Sequence, residues 1–104
     1  MEPSQLTIHE LMENIKAGKL SSTDIVNSVF SRIDAVEERI HAYITLMRES
    51  ALEEAARADE QIRKGDMGAL TGIPIALKDI YCMKGYRTTC GSRIRHNFVP
   101  PYNA

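Results

Sequence analysis

The run Thr71-Gly72-Ile73-Pro74-Ile75-Ala76-Leu77-Lys78-Asp79 constrains this chain more than any other stretch. A short continuous apolar run bounded by a glycine on one side and charges on the other reads as a strand covered on both faces. Pro74 has no N–H for a ladder, so it fits only at the strand's start or on an edge. Period-2 alternation groups Ile73, Ile75 and Leu77 on one face, and Pro74, Ala76 and Lys78 on the other. Lys78 then emerges at the C-terminal end of a buried strand at about 73–78, where open α/β sheets place their chemistry. A lysine stripped of hydration there loses protons more easily and can serve as a base near neutral pH. The plainer alternative is a charged residue ending a strand at the protein surface.

Three helices are expected before that strand. Thr7 and Glu10 form a capping box, Leu6 and Leu11 a hydrophobic staple, and Gly18 a stop, which predicts a helix over about 8–17 with an Ile8, Leu11, Met12, Ile15 stripe. Ser21 or Ser22 caps a second helix over 22–40, in which Ile25, Val26, Val29, Phe30, Ile33, Val36 and Ile40 recur at helical spacing. The third runs over about 49–64, rich in alanine, with Glu53–Arg57, Asp59–Arg63 and Glu60–Lys64 spaced for ion pairs and Gly65 ending it. Between the second and third, residues 42–46 alternate and are rich in β-formers, so a short strand is expected there. The order is that of an α/β protein with too few strands for a complete sheet. Together with the extended, proline-bearing end Phe98–Ala104, this predicts that residues 1–104 are part of one larger domain. From Ile80 to Arg95 no period is clean, and a short helix near Ser92–Asn97 is expected at most.

Composition narrows the functional classes. Thirteen basic residues against fourteen acidic ones leave no basic surface that would argue for direct nucleic-acid binding. No apolar run approaches the roughly 20 residues of a membrane span. Two cysteines, Cys82 and Cys90, fit a reducing cytoplasmic setting better than a disulfide framework. His9, His41 and His96 fall on separate elements. Cys82, Cys90 and His96 lack a fourth ligand and a C-x-x-C pair, so neither a metal nor a cofactor is expected in this chain. Thr88-Thr89-Cys90-Gly91-Ser92 is small, polar and glycine-bearing, which suits a pocket lining or simply a loop.

Leu70 to Asp79 resembles the strand that carries the catalytic lysine of the amidase signature family. With Lys84-Gly85, Arg87 to Ser92 and Asn97 to Tyr102 following it, the chain is similar to that family's tRNA-dependent amidotransferase A subunits. Leu6 to Leu11, Leu20-Ser21-Ser22 and Ala42 to Thr45 agree with the same branch. The resemblance implies the first portion of an α/β/α sandwich and a Ser–cis-Ser–Lys triad in which Lys78 is the base. Both serines would lie outside residues 1–104, and Ser92 does not replace them. It further implies hydrolysis of glutamine, with the ammonia used, together with ATP and Mg²⁺, by a B subunit to amidate Glu-tRNA(Gln) or Asp-tRNA(Asn) in a cytoplasmic complex with B and C subunits. By itself the 104-residue stretch is expected to be inactive. Two other readings stay open: a signature amidase acting on small amides, and a non-enzymatic helical assembly module.

Overall fold

The computed structural model describes residues 1–104, which divide into two compact units. The first holds Met1–His41 and Met47–Pro74, and the second Ala42–Leu46 and Ile75–Ala104.

The first unit contains three α-helices: α1 (Ile8–Lys16), α2 (Ser22–Ile40) and α3 (Arg48–Arg63). Each boundary lies within a residue of the expected one. At the start of α1, Thr7 Oγ1 accepts the Glu10 N–H at 3.2 Å while a Glu10 carboxylate oxygen accepts the Thr7 N–H at 2.8 Å. Ser21 and Asp24 repeat the reciprocal pair at the start of α2, both bonds at 3.0 Å. These contacts hold the Glu10 and Asp24 carboxyls below the ordinary carboxylate range, because the amide hydrogens favour the ionised form. Helix α1 ends with Gly18 at φ +72°, its N–H reaching the Ile15 carbonyl and that of Lys19 reaching Asn14, so two otherwise orphaned carbonyls are satisfied.

The helices bury two apolar clusters. Leu11, Met12 and Ile15 of α1 meet Ile25 of α2, with Leu6, Leu20, Ile62, Met67 and Ile73 packed around them. Further along α2, Val26, Phe30 and Ile33 pack with Ala55 of α3, flanked by Val29, Ala51 and Leu52. The Arg48 guanidinium covers the Phe30 ring at 4.7 Å and pairs with Asp34, which ties the start of α3 to α2. Ile8 and Ile40, assigned to apolar stripes by periodicity, are instead exposed. Each is the terminal apolar position of its helix, beyond the facing clusters.

Two expected ion pairs are replaced. Arg63 pairs with Glu60 at 2.9 Å, one residue earlier than the expected Glu60–Lys64 spacing. The Asp59 carboxylate turns to the start of α2, where it accepts the Ser22 and Thr23 N–H groups at 2.6 and 3.1 Å and the Thr23 hydroxyl at 2.6 Å. Unsatisfied amides at a helix N-terminus offer a carboxylate more than an exposed guanidinium does. Glu53–Arg57 forms, loosely, at 3.9 Å.

Neither expected strand is present. Residues 42–46 and 73–78 have no ladder, and the one bridge, antiparallel between Met83 and Tyr86, is isolated. A strand is defined by hydrogen bonds to a neighbour, and none pairs with either segment within these 104 residues. The expected common face is divided as well: Ile73 packs on the helical core, whereas Ile75 and Leu77 are 74% and 49% exposed.

The second unit is held by loop hydrogen bonds rather than regular elements. Its one helical turn, a 3₁₀ turn at Arg93–Arg95, is capped by the Ser92 hydroxyl, which accepts the Ile94 N–H at 3.2 Å. No helix of the chain is long and apolar enough to cross a membrane.

Candidate active site

Lys78 sits at the head of a turn in the second unit, its carbonyl accepting the Tyr81 N–H at 3.1 Å. The side chain is exposed and makes no ion pair. The shielded environment expected at the end of a buried strand is therefore not supplied by residues 1–104. What they do supply is a fixed backbone around the lysine.

That fixation comes from Asp79. Its carboxylate accepts the Thr89 N–H at 2.9 Å, the Thr89 hydroxyl in a short bond, and the Gly91 N–H at 3.4 Å. Its main-chain carbonyl accepts the intervening Cys90 N–H at 2.8 Å. Three successive amides thus converge on one residue. Cys90, whose backbone is left-handed at φ +54°, sets the angle between the last two of these amides. The Thr89 hydroxyl and amide, with smaller help from the Gly91 amide and the Arg87 charge, hold the Asp79 carboxyl below the usual carboxylate range.

The far side of the same turn is pinned by buried threonines. Thr88 donates its N–H to the Phe98 carbonyl at 3.0 Å, and both Thr88 and Thr89 are buried. Arg87 reaches the Ile44 carbonyl and the Thr45 hydroxyl at 3.4 and 3.3 Å, joining segment 42–46 to this unit. Gly85, at φ +82°, closes the Met83–Tyr86 turn, and its N–H reaches the carbonyl of the buried Pro100. Near the chain's end, a hydrogen bond from the Tyr102 hydroxyl to the Cys82 sulfur is the main cause that holds the phenol above its ordinary value.

The polar run 88–92 thus becomes an anchor for the residue beside Lys78. Ser92 serves as a cap, and Cys82, Cys90 and His96 are not gathered into a cluster with other ligands. No sequence signal marks Asp79 for this role, because its partners lie ten to twelve positions away, outside any local spacing rule. The chemistry this arrangement can perform is that of a single amine on a rigid turn. A base alone does not cleave an amide, which also needs a nucleophile and a site for the developing oxyanion.

The amidase family model matches residues 24–104, and the chain belongs to the amidase family. It is 71% identical over all 104 residues to the A subunit of the glutamyl-tRNA(Gln) amidotransferase of Syntrophus aciditrophicus (strain SB), and 53% identical to its counterpart in Geotalea daltonii. In each case it spans 21% of the relative's length. A solved structure, from work on a vestigial protein complex and the evolutionary origins of an s-triazine catabolic enzyme, superposes with a TM-score of 0.88 at 27% identity. That match covers 95% of this chain and 22% of the other.

Proposed function

We propose that residues 1–104 form the lysine-bearing part of a glutamine-hydrolysing amidotransferase A subunit. The observation that carries this reading is identity of 71% across the whole chain to such a protein. In the complete protein, segment 73–78 pairs as a strand of an α/β/α sandwich, which covers the exposed Ile75 and Leu77 and draws Lys78 out of water. The neutral Lys78 amine then accepts a proton from a bridging serine, which in turn takes one from a second serine. That serine attacks the glutamine side-chain carbonyl, Lys78 returns the proton through the bridging serine to the departing nitrogen, and the C–N bond breaks to release ammonia and leave an acyl-enzyme. Water completes the cycle by hydrolysing the acyl-enzyme. Both serines belong to parts of the protein outside these 104 residues, so the stretch alone has no activity. The ammonia passes to a B subunit, which with ATP and Mg²⁺ amidates misacylated tRNA in a cytoplasmic complex that also contains a C subunit.

The test compares two nitrogen donors in the assembled complex. Lys78→Ala is expected to lower glutamine-driven tRNA amidation by about 10²–10⁴-fold, the range of acid–base catalysis, and to leave the ammonium-driven rate near wild type. Equal loss of both rates would assign Lys78 to folding or assembly. An unchanged rate with glutamine would end its reading as the base. Failure to co-purify with B and C subunits, joined to hydrolysis of simple amides, would favour a free-standing amidase.

A further inference from the structure

We infer that Asp79 is a positioning residue for the Lys78 base, clamping the lysine's backbone to the Thr89–Gly91 turn and keeping its own carboxylate off the neighbouring ammonium. The inference rests on the reading of Lys78 as a base.

Two requirements of a lysine base motivate it. The side chain has four rotatable bonds, and ordering it costs conformational entropy, so any looseness in the backbone beneath adds to an already unfavourable term. Productive geometry tolerates roughly 0.5 Å. The residue following Lys78 is held by its main-chain carbonyl and by both carboxylate oxygens at once. Lys78 itself is held through its carbonyl by Tyr81. No other residue in the second unit gathers three successive amides.

The second requirement is electrostatic. A carboxylate adjacent in sequence is a ready ion-pair partner, and an ion pair would hold the lysine protonated and unfit as a base. Asp79 is instead engaged by Thr89 and Gly91, and it makes no ion pair with Lys78. The Thr89 hydroxyl and amide thus act on the base at one remove, by occupying the charge beside it. Thr89 is 4% exposed, so water competes little for these bonds.

The experiment uses the complete protein in complex with its partners. Asp79→Asn keeps an acceptor for the Thr89 N–H but loses the charge. Thr89→Val keeps the side chain's shape but loses the hydroxyl. Each is made alone and combined with Lys78→Ala, and kcat and KM for glutamine are measured beside the ammonium-driven rate. At least one single variant is expected to lower glutamine kcat about tenfold or more, with KM and the ammonium-driven rate within about twofold of wild type. Added to Lys78→Ala, the same change is expected to cost nothing further, because a residue acting through Lys78 has nothing left to position. Wild-type kcat in both single variants would overturn the inference while leaving the base intact. So would parallel loss of the glutamine and ammonium rates, the mark of a folding role, or a full multiplicative loss in the Lys78→Ala background. Wild-type glutamine turnover by Lys78→Ala alone would overturn the base reading and the inference with it.

Discussion

The Asp59 carboxylate accepts the Ser22 main-chain N–H at 2.6 Å, joining two helices whose residues are 37 positions apart. Ser22 in turn donates its hydroxyl to the Gly72 carbonyl at 2.9 Å. One buried serine therefore connects the start of α2, the C-terminal half of α3 and the turn that leads to the Lys78 segment.

Asp59→Ala leaves two helix amides and the Thr23 hydroxyl without their partner. Ser21 still caps α2, so the expected loss is that of a helix cap, about 1–2 kcal/mol. Urea denaturation followed by circular dichroism checks it. An unchanged midpoint would mean that water replaces the carboxylate at no cost.

Gly72 has φ +88°, and a Cβ there would lie 3.3 Å from the Ser22 Cβ and 3.4 Å from the Ile62 Cδ1. Gly72→Ala combines left-handed strain of about 1–2 kcal/mol with crowding against the core. Gly18 has comparable backbone but open space around it. Gly72→Ala is therefore expected to lower the melting temperature more than Gly18→Ala, and equal shifts would mean that crowding against Ser22 and Ile62 costs nothing.

Cys90 carries the opposite kind of strain, a side chain at φ +54° with an exposed environment. Cys90→Gly is expected to be neutral or to stabilise by up to about 1 kcal/mol, whereas Cys90→Val destabilises. Thermal unfolding of the two variants side by side gives the sign.

The Asp79 carboxyl titrates below its ordinary value in the folded chain, and those of Glu10 and Asp24 do likewise. A folded value lower than the unfolded one means stabilisation that is present above the ordinary carboxylate range, near pH ~4, and lost as pH falls through the folded value. The Thr89 and Gly91 amide resonances are expected to move together in that acid window, and to stay flat in Asp79→Asn. Movement near neutral pH instead would point to a different titrating group.

Lys78→Arg separates charge from proton transfer. A guanidinium keeps the positive charge but does not give up its proton near neutral pH. In the complete complex it is expected to be nearly as impaired in glutamine hydrolysis as Lys78→Ala. Activity close to wild type would show that charge alone suffices.

The three helices were legible from the amino acids alone because their causes are local. Thr7 with Glu10, Ser21 with Asp24, and Gly18 and Gly65 past the helix ends act within one turn, and the apolar spacing of α2 selects Ile25, Val26, Phe30 and Ile33 for burial whatever the partner. Lys78 was legible as a candidate for the same reason, a charge closing an apolar run. Whether that run is a strand depends on a neighbour's hydrogen bonds, which no residue of the run contains. The destination of a carboxylate is equally nonlocal. Asp59 had an arginine four residues away and took the amides of α2, and Asp79 had a lysine beside it and took Thr89 and Gly91. In both cases tertiary structure brought unsatisfied N–H groups to the carboxylate, and a fixed, partly shielded donor outcompetes a flexible, hydrated cation.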